Sequence, residues 1–551
     1  MDSAEVPGER MRCVLGLTEH TISDVLRASV RRFGKKDALI YREDTFTWRE
    51  VDLLSDLLAE RLEGMGVVRG DRVGLWGRNS ASWVITFLAA QKLGAVPALL
   101  NANYLYRELE QVLRIGGIQW LCFGDTPSLV SQPDLLQTAV RRLRPNLRGL
   151  MDIRENALDL RKELGEAQKR SDRKPSGAGC RDAACMLYST GTSAEPKCVL
   201  HSHYSLVNNA IATAERVRMG AGDRICVSQP LFHIFGLITS LLGGILHGAT
   251  LCVLSRFGSE DILRCVQNHR CTILNGVPTN FISMISNPAF PNYSTDSLRL
   301  SIIGGADISA TQLDRIREAF PTARILRNYG LTEGCNLCNS AFSDSPEAVS
   351  RSVGQPYPQI KLAIQSPETQ EFLPFGQRGE VVVQGYNVML GYIHAAVQAV
   401  DSGGWLHTGD LGLLDNAGHL TIVGRIKDII IQGGENIAPA EVSREILRYE
   451  PIQDALVIGV PHPVLGEEVV ACLTLNSPAD YSEEELRSIL RVRLAKYIIP
   501  AFILLYEEFP LNPNSKIDMV TLRKDAYRRV LALHQDDARY QAGLRSTRAH
   551  K

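Results

Sequence analysis

Ser189-Thr190-Gly191-Thr192-Ser193-Ala194-Glu195-Pro196-Lys197 gathers hydroxyl side chains, a glycine, a proline and a lysine directly behind an apolar run, Ala183 to Tyr188. Backbone N–H groups and hydroxyls at this density can wrap a polyphosphate, and the lysine supplies positive charge. The string is not a Walker A loop, and no Gly-x-Gly-x-x-Gly follows a strand, so the two commonest nucleotide-binding patterns are excluded. Taken alone, it reads more readily as a polar surface hairpin between two strands.

The elements that must hold the loop follow from hydrophobic patterning. Cys198 to His201 predicts a short strand, and Ser202 an N-cap for a helix carrying Leu206, Val207, Ala210, Ile211, Ala214 and Val217 up to Gly220. Upstream, helices are expected at Ile22 to Phe33, Val51 to Met65 and Ser82 to Leu93, with strands at Arg72 to Trp76 and Ala95 to Leu99. This alternation predicts a mainly parallel α/β sheet, and the same texture resumes from Cys226 to Tyr329. From about Val353 short strands alternate with Gly and Pro turns, as in Gly379 to Val383, Gly409 to Gly412 and His419 to Val423, which predicts a small β-rich subdomain. Beyond Gly424 a separate α+β piece is expected: strands at Ile429 to Ile431, Ala455 to Val460 and Val469 to Leu475, and helices at Glu441 to Tyr449 and Glu483 to Leu494. The boundary falls at Gly424 to Asp428, and no internal repeat is visible.

Composition narrows the function classes. A chain of 551 residues should hold more than one domain. Lys+Arg 60 against Asp+Glu 61 gives a net charge of −1, which offers no argument for nucleic acid or wholesale membrane attachment. The twelve cysteines are scattered and often sit in apolar runs, as Cys185, Cys252 and Cys472 do, which predicts buried thiols in a reducing compartment rather than a disulfide framework. Cys335-Asn336-Leu337-Cys338 lacks the second ligand pair a zinc site needs. Met1 to Glu5 is polar and acidic, unlike a secretory or transit signal, and the chain does not end in a peroxisomal Ser-Lys-Leu. An intracellular, most simply cytoplasmic, location is expected, with mitochondrion and peroxisome left open. The nearly uncharged stretch Leu237 to Leu254 reads as a buried helix turning into a buried strand rather than a transmembrane segment.

Distant segments complete a constellation. Asn328-Tyr329-Gly330-Leu331-Thr332-Glu333, Trp405-Leu406-His407-Thr408-Gly409-Asp410, Gly424-Arg425-Ile426-Lys427-Asp428 with Gly433-Gly434-Glu435-Asn436-Ile437, and Asn514-Ser515-Lys516-Ile517 join the loop in order along the chain. Together they resemble the adenylate-forming superfamily of acyl-CoA synthetases, luciferases and peptide-synthetase adenylation domains, over nearly the whole length. Gly385 to Tyr392 and Ile430 to Pro439 are most similar to the medium-chain acyl-CoA ligase branch. The resemblance implies a large N-terminal domain, residues 1–424, of two α/β subdomains and a small β-barrel-like subdomain. A small mobile α+β domain, residues 425–551, follows, with its hinge at Lys427.

It also implies residue roles with ATP, Mg2+ and coenzyme A. Ser189 to Lys197 cradle the β- and γ-phosphates, Thr332 meets the α-phosphate and Glu333 holds Mg2+, a hard cation suited to a carboxylate. Thr332-Glu333 also reads locally as a helix N-cap with an acid in the first turn, and a helix start is itself an anion site. Gly304-Gly305-Ala306 resembles the adenine wall, and reads equally as a strand-to-helix turn. Asp410 accepts the ribose hydroxyls beside Arg425, and Lys516 reaches the α-phosphate and substrate carboxylate. His233 either gates acyl entry or is a core histidine, and Val277 to Phe281 with Gly334 to Asn336 line the acyl channel. Gly433-Gly434 let pantetheine run against the backbone, or form a plain linker turn.

Coupling a carboxylate to AMP makes it electrophilic, and that step asks the protein mainly to position groups and neutralise charge. The expected activity is therefore an ATP-dependent acid–CoA ligase. Ala194 and Cys198 stand where the family pattern has glycines, Ser515 replaces the glycine before Lys516, and Gln432 replaces an arginine. If the glycine positions demand φ > 0, Ala194, Cys198 and Ser515 introduce strain. The alternatives are an enzyme loading a carrier protein, a degenerate nucleotide-binding protein and, more distantly, a luciferase-like oxygenase. Oligomeric state and the acid are not written in the sequence.

Overall fold

The computed structural model describes residues 16–127, 147–168, 176–189, 196–394, 398–476, 478–511 and 517–534. The chain divides into two compact units. One comprises Met1–Ala363, Val382–Thr408 and Asp415–Leu420, the other Ile364–Val381, Gly409–Leu414 and Thr421–Lys551.

Two large sheets build the first unit. One runs, in spatial order, Gly391–Ile393, Lys197–Ser202, Ala183–Ser189, Val96–Leu100, Arg72–Trp76, Trp120–Phe123 and Gly149–Asp152. The other runs Gln355–Pro356, Cys335–Asn339, Arg324–Leu331, Leu300–Gly304, Ile273–Gly276, Arg224–Val227, Thr250–Val253, Asp37–Tyr41 and Asp44–Thr47. Their inner strands pair in parallel, as expected where helices cover both faces of a βα repeat, and antiparallel strands close three of the four edges, the parallel strand Gly149–Asp152 forming the fourth. Helix Ala81–Leu93 is buried on every side, because its sequence is apolar all round. Ser80 caps its start and Gly94 closes it in the left-handed region at φ 71°. Its one lysine, Lys92, is buried but held by Asp52 at 2.6 Å and Asp56 at 2.8 Å. Ser202 does cap the helix behind the loop, His203–Arg216, accepting the Ser205 N–H. Leu237 to Val253 forms a buried helical run and then a strand, and among the described residues no helix is long and apolar enough to cross a membrane.

The β-rich segment is a four-stranded sheet, Lys361–Gln365, Gly379–Gln384, Leu406–Leu414 and Leu420–Arg425 in that order. The second unit carries a five-stranded sheet whose long hairpin, Ile452–His462 with Gly466–Leu475, buries alternate residues on opposite faces. Val469, Ala471 and Leu473 pack with helices Pro439–Ile446 and Glu483–Arg493, while Val470 and Cys472 pack with Met519–Leu533. All the described cysteines are reduced, and all but Cys180 are buried.

Candidate active site

The polyphosphate-type loop joins two antiparallel strands whose last pair is Ser189 opposite Lys197. Thr190, Gly191, Thr192, Ser193, Ala194 and Glu195 lie outside the described residues, as do Asn514, Ser515 and Lys516. Pro196 is half-buried at the mouth of the returning strand. Beyond that strand a third one, Gly391–Ile393, pairs antiparallel with it and sets Tyr392 opposite Val199.

Glu333 is delivered to this edge from 144 residues downstream, where its Oε1 accepts the Ser189 hydroxyl at 2.9 Å. The same oxygen accepts the Tyr392 hydroxyl at 3.0 Å. Among the described residues no hydrogen bond reaches Oε2, which leaves one hard oxygen donor open to a divalent cation. Lys197 Nζ lies 5.0 Å from the Tyr392 ring centroid, a cation–π distance. Burial, then the Glu333 charge, pushes the Tyr392 hydroxyl well above its ordinary range, so it stays protonated and donates. A lysine, a carboxylate and two hydroxyls thus meet at the loop's two ends.

The backbone carrying Glu333 is clamped. His201 Nε2 donates to the Thr332 carbonyl at 2.7 Å, Met389 N–H to the Glu333 carbonyl at 2.9 Å, and Asn387 Nδ2 to the Gly334 carbonyl at 2.7 Å. His201 is buried, which pushes its imidazole down to about 4 and keeps it neutral. Its Nδ1 then faces the Ser205 hydroxyl and, at 3.6 Å, the Cys335 thiol. Cys335 adopts φ 58°, a left-handed conformation costing about 1–3 kcal/mol in a non-glycine residue.

Two expectations are corrected here. Thr332-Glu333-Gly334 is the turn of a β-hairpin between Arg324–Leu331 and Cys335–Asn339, not the start of a helix. The residues that follow pair back across the turn, Leu331 with Cys335 and Gly330 with Asn336, so no helical N-terminus faces the site. Cys198, expected to be strained if its position demanded φ > 0, lies in extended strand opposite Tyr188 and Ile393, a conformation that asks for no glycine.

The other residues of the first unit fall nearby in the fold. Gly304 ends its strand in register with Asn328, and a Cβ there would meet the Asn328 carbonyl oxygen at 3.0 Å. Gly305 follows at φ 79°, and Ala306 is exposed. Gly304, Asn328, Tyr329 and Gly330 thus sit at the carboxyl ends of parallel strands, where open α/β sheets bind ligands. His233 is half-buried, its ring 4.7 Å from Phe232, just before the helical run that begins at Ile234.

In the second unit Asp410 is buried on strand Leu406–Leu414, and Arg425 Nε pairs with its Oδ1 at 2.7 Å. Lys427 occupies a one-turn helix, Ile426–Asp428, where desolvation and then the Arg425 charge pull its pKa down. Gly433 and Gly434, at φ 61° and 90°, make the two-residue turn between Ile430–Gln432 and Glu435–Ile437, a turn type that requires positive φ at both positions. Gln432 is used internally: its amide donates to the Tyr497 carbonyl at 3.0 Å and accepts the Val469 N–H at 2.9 Å.

Sequence reasoning missed His201 and Tyr392 as site residues. Tyr392 stood in a segment noted only for its texture, and the signal for His201 was its place on the strand that returns from the loop.

The AMP-binding enzyme family matches residues 26–393, and the AMP-binding enzyme C-terminal domain matches residues 441–516. The chain is 32% identical to the acyl-CoA ligase sidI of Aspergillus fumigatus over 543 residues, 92% of this chain and 91% of that protein. It is 30% identical to the mitochondrial medium-chain acyl-CoA ligase ACSF2 of Mus musculus over 541 residues, 92% and 88% of the two. Among solved structures it is similar to ATP-bound MatB from Rhodopseudomonas palustris, with a TM-score of 0.82 and 25% identity over 92% of this chain and 99% of that one. It is also similar to the o-succinylbenzoate CoA synthetase MenE of Bacillus subtilis in complex with its acyl-adenylate intermediate, with a TM-score of 0.76 and 28% identity over 93% and 98%. With the family matched across most of its length and the same fold, the chain belongs to the AMP-binding enzyme family, as an acyl-CoA synthetase that uses ATP and CoA.

Proposed function

We propose that the protein activates a medium-chain fatty acid as its acyl-adenylate and then passes the acyl group to CoA, releasing AMP and pyrophosphate. The observation that carries this reading is the meeting of Ser189, Lys197, Glu333 and Tyr392 at the two ends of the loop. Lys197 and the loop hydroxyls neutralise the β- and γ-phosphates, and Thr332 contacts the α-phosphate. Glu333 Oε2 would hold Mg2+, which when bound supplies positive charge across the phosphate oxygens. Asp410, oriented by Arg425, takes the ribose hydroxyls, and Gly304 to Ala306 with Asn328 to Gly330 flank the adenine. His233 stands at the acyl entrance. Lys516 neutralises the developing charge between carboxylate and α-phosphate, and a swing about Lys427 then exchanges it for the Gly433-Gly434 turn, where pantetheine runs. The domain boundary that serves this swing is 424/425. The name of the Mus musculus relative supports the medium-chain assignment.

The test is exchange of labelled pyrophosphate into ATP across straight-chain acids of increasing length. Exchange should peak at medium chain length, and a silent protein with every acid would remove the adenylation mechanism. Lys516→Ala should slow exchange ~10²–10³-fold, the cost of deleting one transition-state donor. It should spare thioester formation from supplied acyl-adenylate, and equal loss of both half-reactions would reassign Lys516.

A further inference from the structure

Four cysteines outside this site share one buried cluster. Cys226 on strand Arg224–Val227 and Cys252 on strand Thr250–Val253 are register partners, so their side chains share one face of the sheet. Helix Ser259–His269 contributes Cys265 to that face. The helix ends at Arg270 in the left-handed region, φ 47°, and that reversal brings Cys271 back beneath it. The sulfurs of Cys226, Cys265 and Cys271 lie within 4.8 Å of one another, and the Cys265–Cys271 pair is at 4.0 Å. Cys252 packs in the same buried cluster, outside that close triad. All four are buried.

A tetrahedral tetrathiolate site with metal–sulfur bonds of ~2.3 Å has sulfur–sulfur edges of about 3.8 Å. For Cys226, Cys265 and Cys271 the observed spacing needs a contraction of only ~1 Å or less to reach it, and Cys252 must move further. A cavity of about 300 Å³ opens onto the cluster, with Cys252 and Cys265 in its wall beside Arg256, Arg264, His269 and a single acid, Asp261. That wall provides an entry path, and its cations suit a centre whose four thiolates outweigh the metal's charge. Buried hydrophobic thiols have no need of either feature.

We propose that Cys226, Cys265 and Cys271, with Cys252 drawn in from the neighbouring strand as the fourth ligand, form a binding site for a thiophilic divalent cation of the zinc class. Each thiol gives up its proton to solvent as its sulfur bonds the ion, with no change of oxidation state. The ion ties two strands to the helix that crosses them. It also anchors the start of strand Ile273–Gly276, which leads directly into Val277 to Phe281.

The test uses the full chain, purified under reductant, stripped with a chelator and titrated with Co2+. A thiolate-to-cobalt absorption band should saturate at about one ion per chain and disappear when Zn2+ is added. Cys265→Ser and Cys271→Ser should each weaken Co2+ binding at least ~10-fold, a cost seen even when only a ligand's supporting partner is lost. Cys122→Ser should leave the titration unchanged. If Cys265→Ser does not fold, Cys271→Ser and the Zn2+-induced rise in thermal unfolding temperature of the unsubstituted chain decide the matter. Absence of the band, its persistence in the Cys265→Ser Cys271→Ser double variant, or a Cys265–Cys271 disulfide as the stable form under reductant would each overturn the site.

Discussion

Glu333 depends on neighbours that make opposite demands. Ser189 and Tyr392 both donate to Oε1, and Tyr392 also presents its ring to Lys197, so a single tyrosine couples carboxylate and cation. Tyr392→Phe keeps the ring and deletes the bond to Glu333. A hydrogen bond to a charged group is worth ~1.5–3 kcal/mol, so pyrophosphate exchange should fall ~10–10²-fold with unchanged circular dichroism. Full activity would show that Ser189 alone orients the acid. Glu333→Gln should cost more, ~10²–10³-fold, with a raised Mg2+ requirement, because it removes the charge itself. His201 acts one step back, holding the Thr332 carbonyl and so the direction in which Glu333 leaves the backbone.

The hairpin that carries Glu333 tolerates little change. A Cβ on Gly330 would stand 2.3 Å from the Cys335 carbonyl oxygen and 3.0 Å from the Asn336 Cα, both backbone atoms that cannot swing aside. Gly330→Ala should therefore destabilise the first unit by ~1–3 kcal/mol, read as a lower urea midpoint. An unchanged midpoint would mean that the hairpin opens freely. This element was only partly legible in the sequence. The Tyr-Gly-x-Thr-Glu string located it, but a Thr-Glu pair after a strand is also the signature of a capped helix. Only the pairing of Cys335-Asn336-Leu337-Cys338 back onto Arg324–Leu331 decides for the turn. Elements whose periodicity is strong were legible almost to the residue: helix Ile22–Phe33 and strand Arg72–Trp76 stand where the pattern puts them. The approach of Tyr392 to Glu333 was not legible, because it depends on a three-residue edge strand choosing Lys197–Ser202 as its neighbour. The meeting of Cys226 and Cys252 depends likewise on strand register, which cysteine spacing does not encode.

At the scale of the whole molecule, burial of neutral histidines sets an acid limit. His201 and His203 are both pushed down to about 4 by desolvation, and His203 Nδ1 accepts the Ile22 N–H at 3.2 Å. Unfolded, each would titrate near ~6.5. Between these values the unfolded chain binds more protons than the folded one, so stability rises with pH. Their contribution is complete above pH ~6.5 and is lost progressively as pH falls to about 4. Urea midpoints measured across that window should decline on acidification, and His201→Gln should flatten the slope. A decline confined to pH below 4 would leave the carboxylates as its source.

The clamp on Thr332, Glu333 and Gly334 reaches into folding itself. Its donors, His201, Met389 and Asn387, come from stretches nearly two hundred residues apart, and each contributes only once its own strand or turn is in place. A partly assembled chain can own every motif and still aim Glu333 wrongly. Competence is thus withheld until assembly is finished, which spares the cell a half-made catalyst that would bind ATP without using it well. During refolding, pyrophosphate exchange should return in step with the last protected amides, never ahead of them.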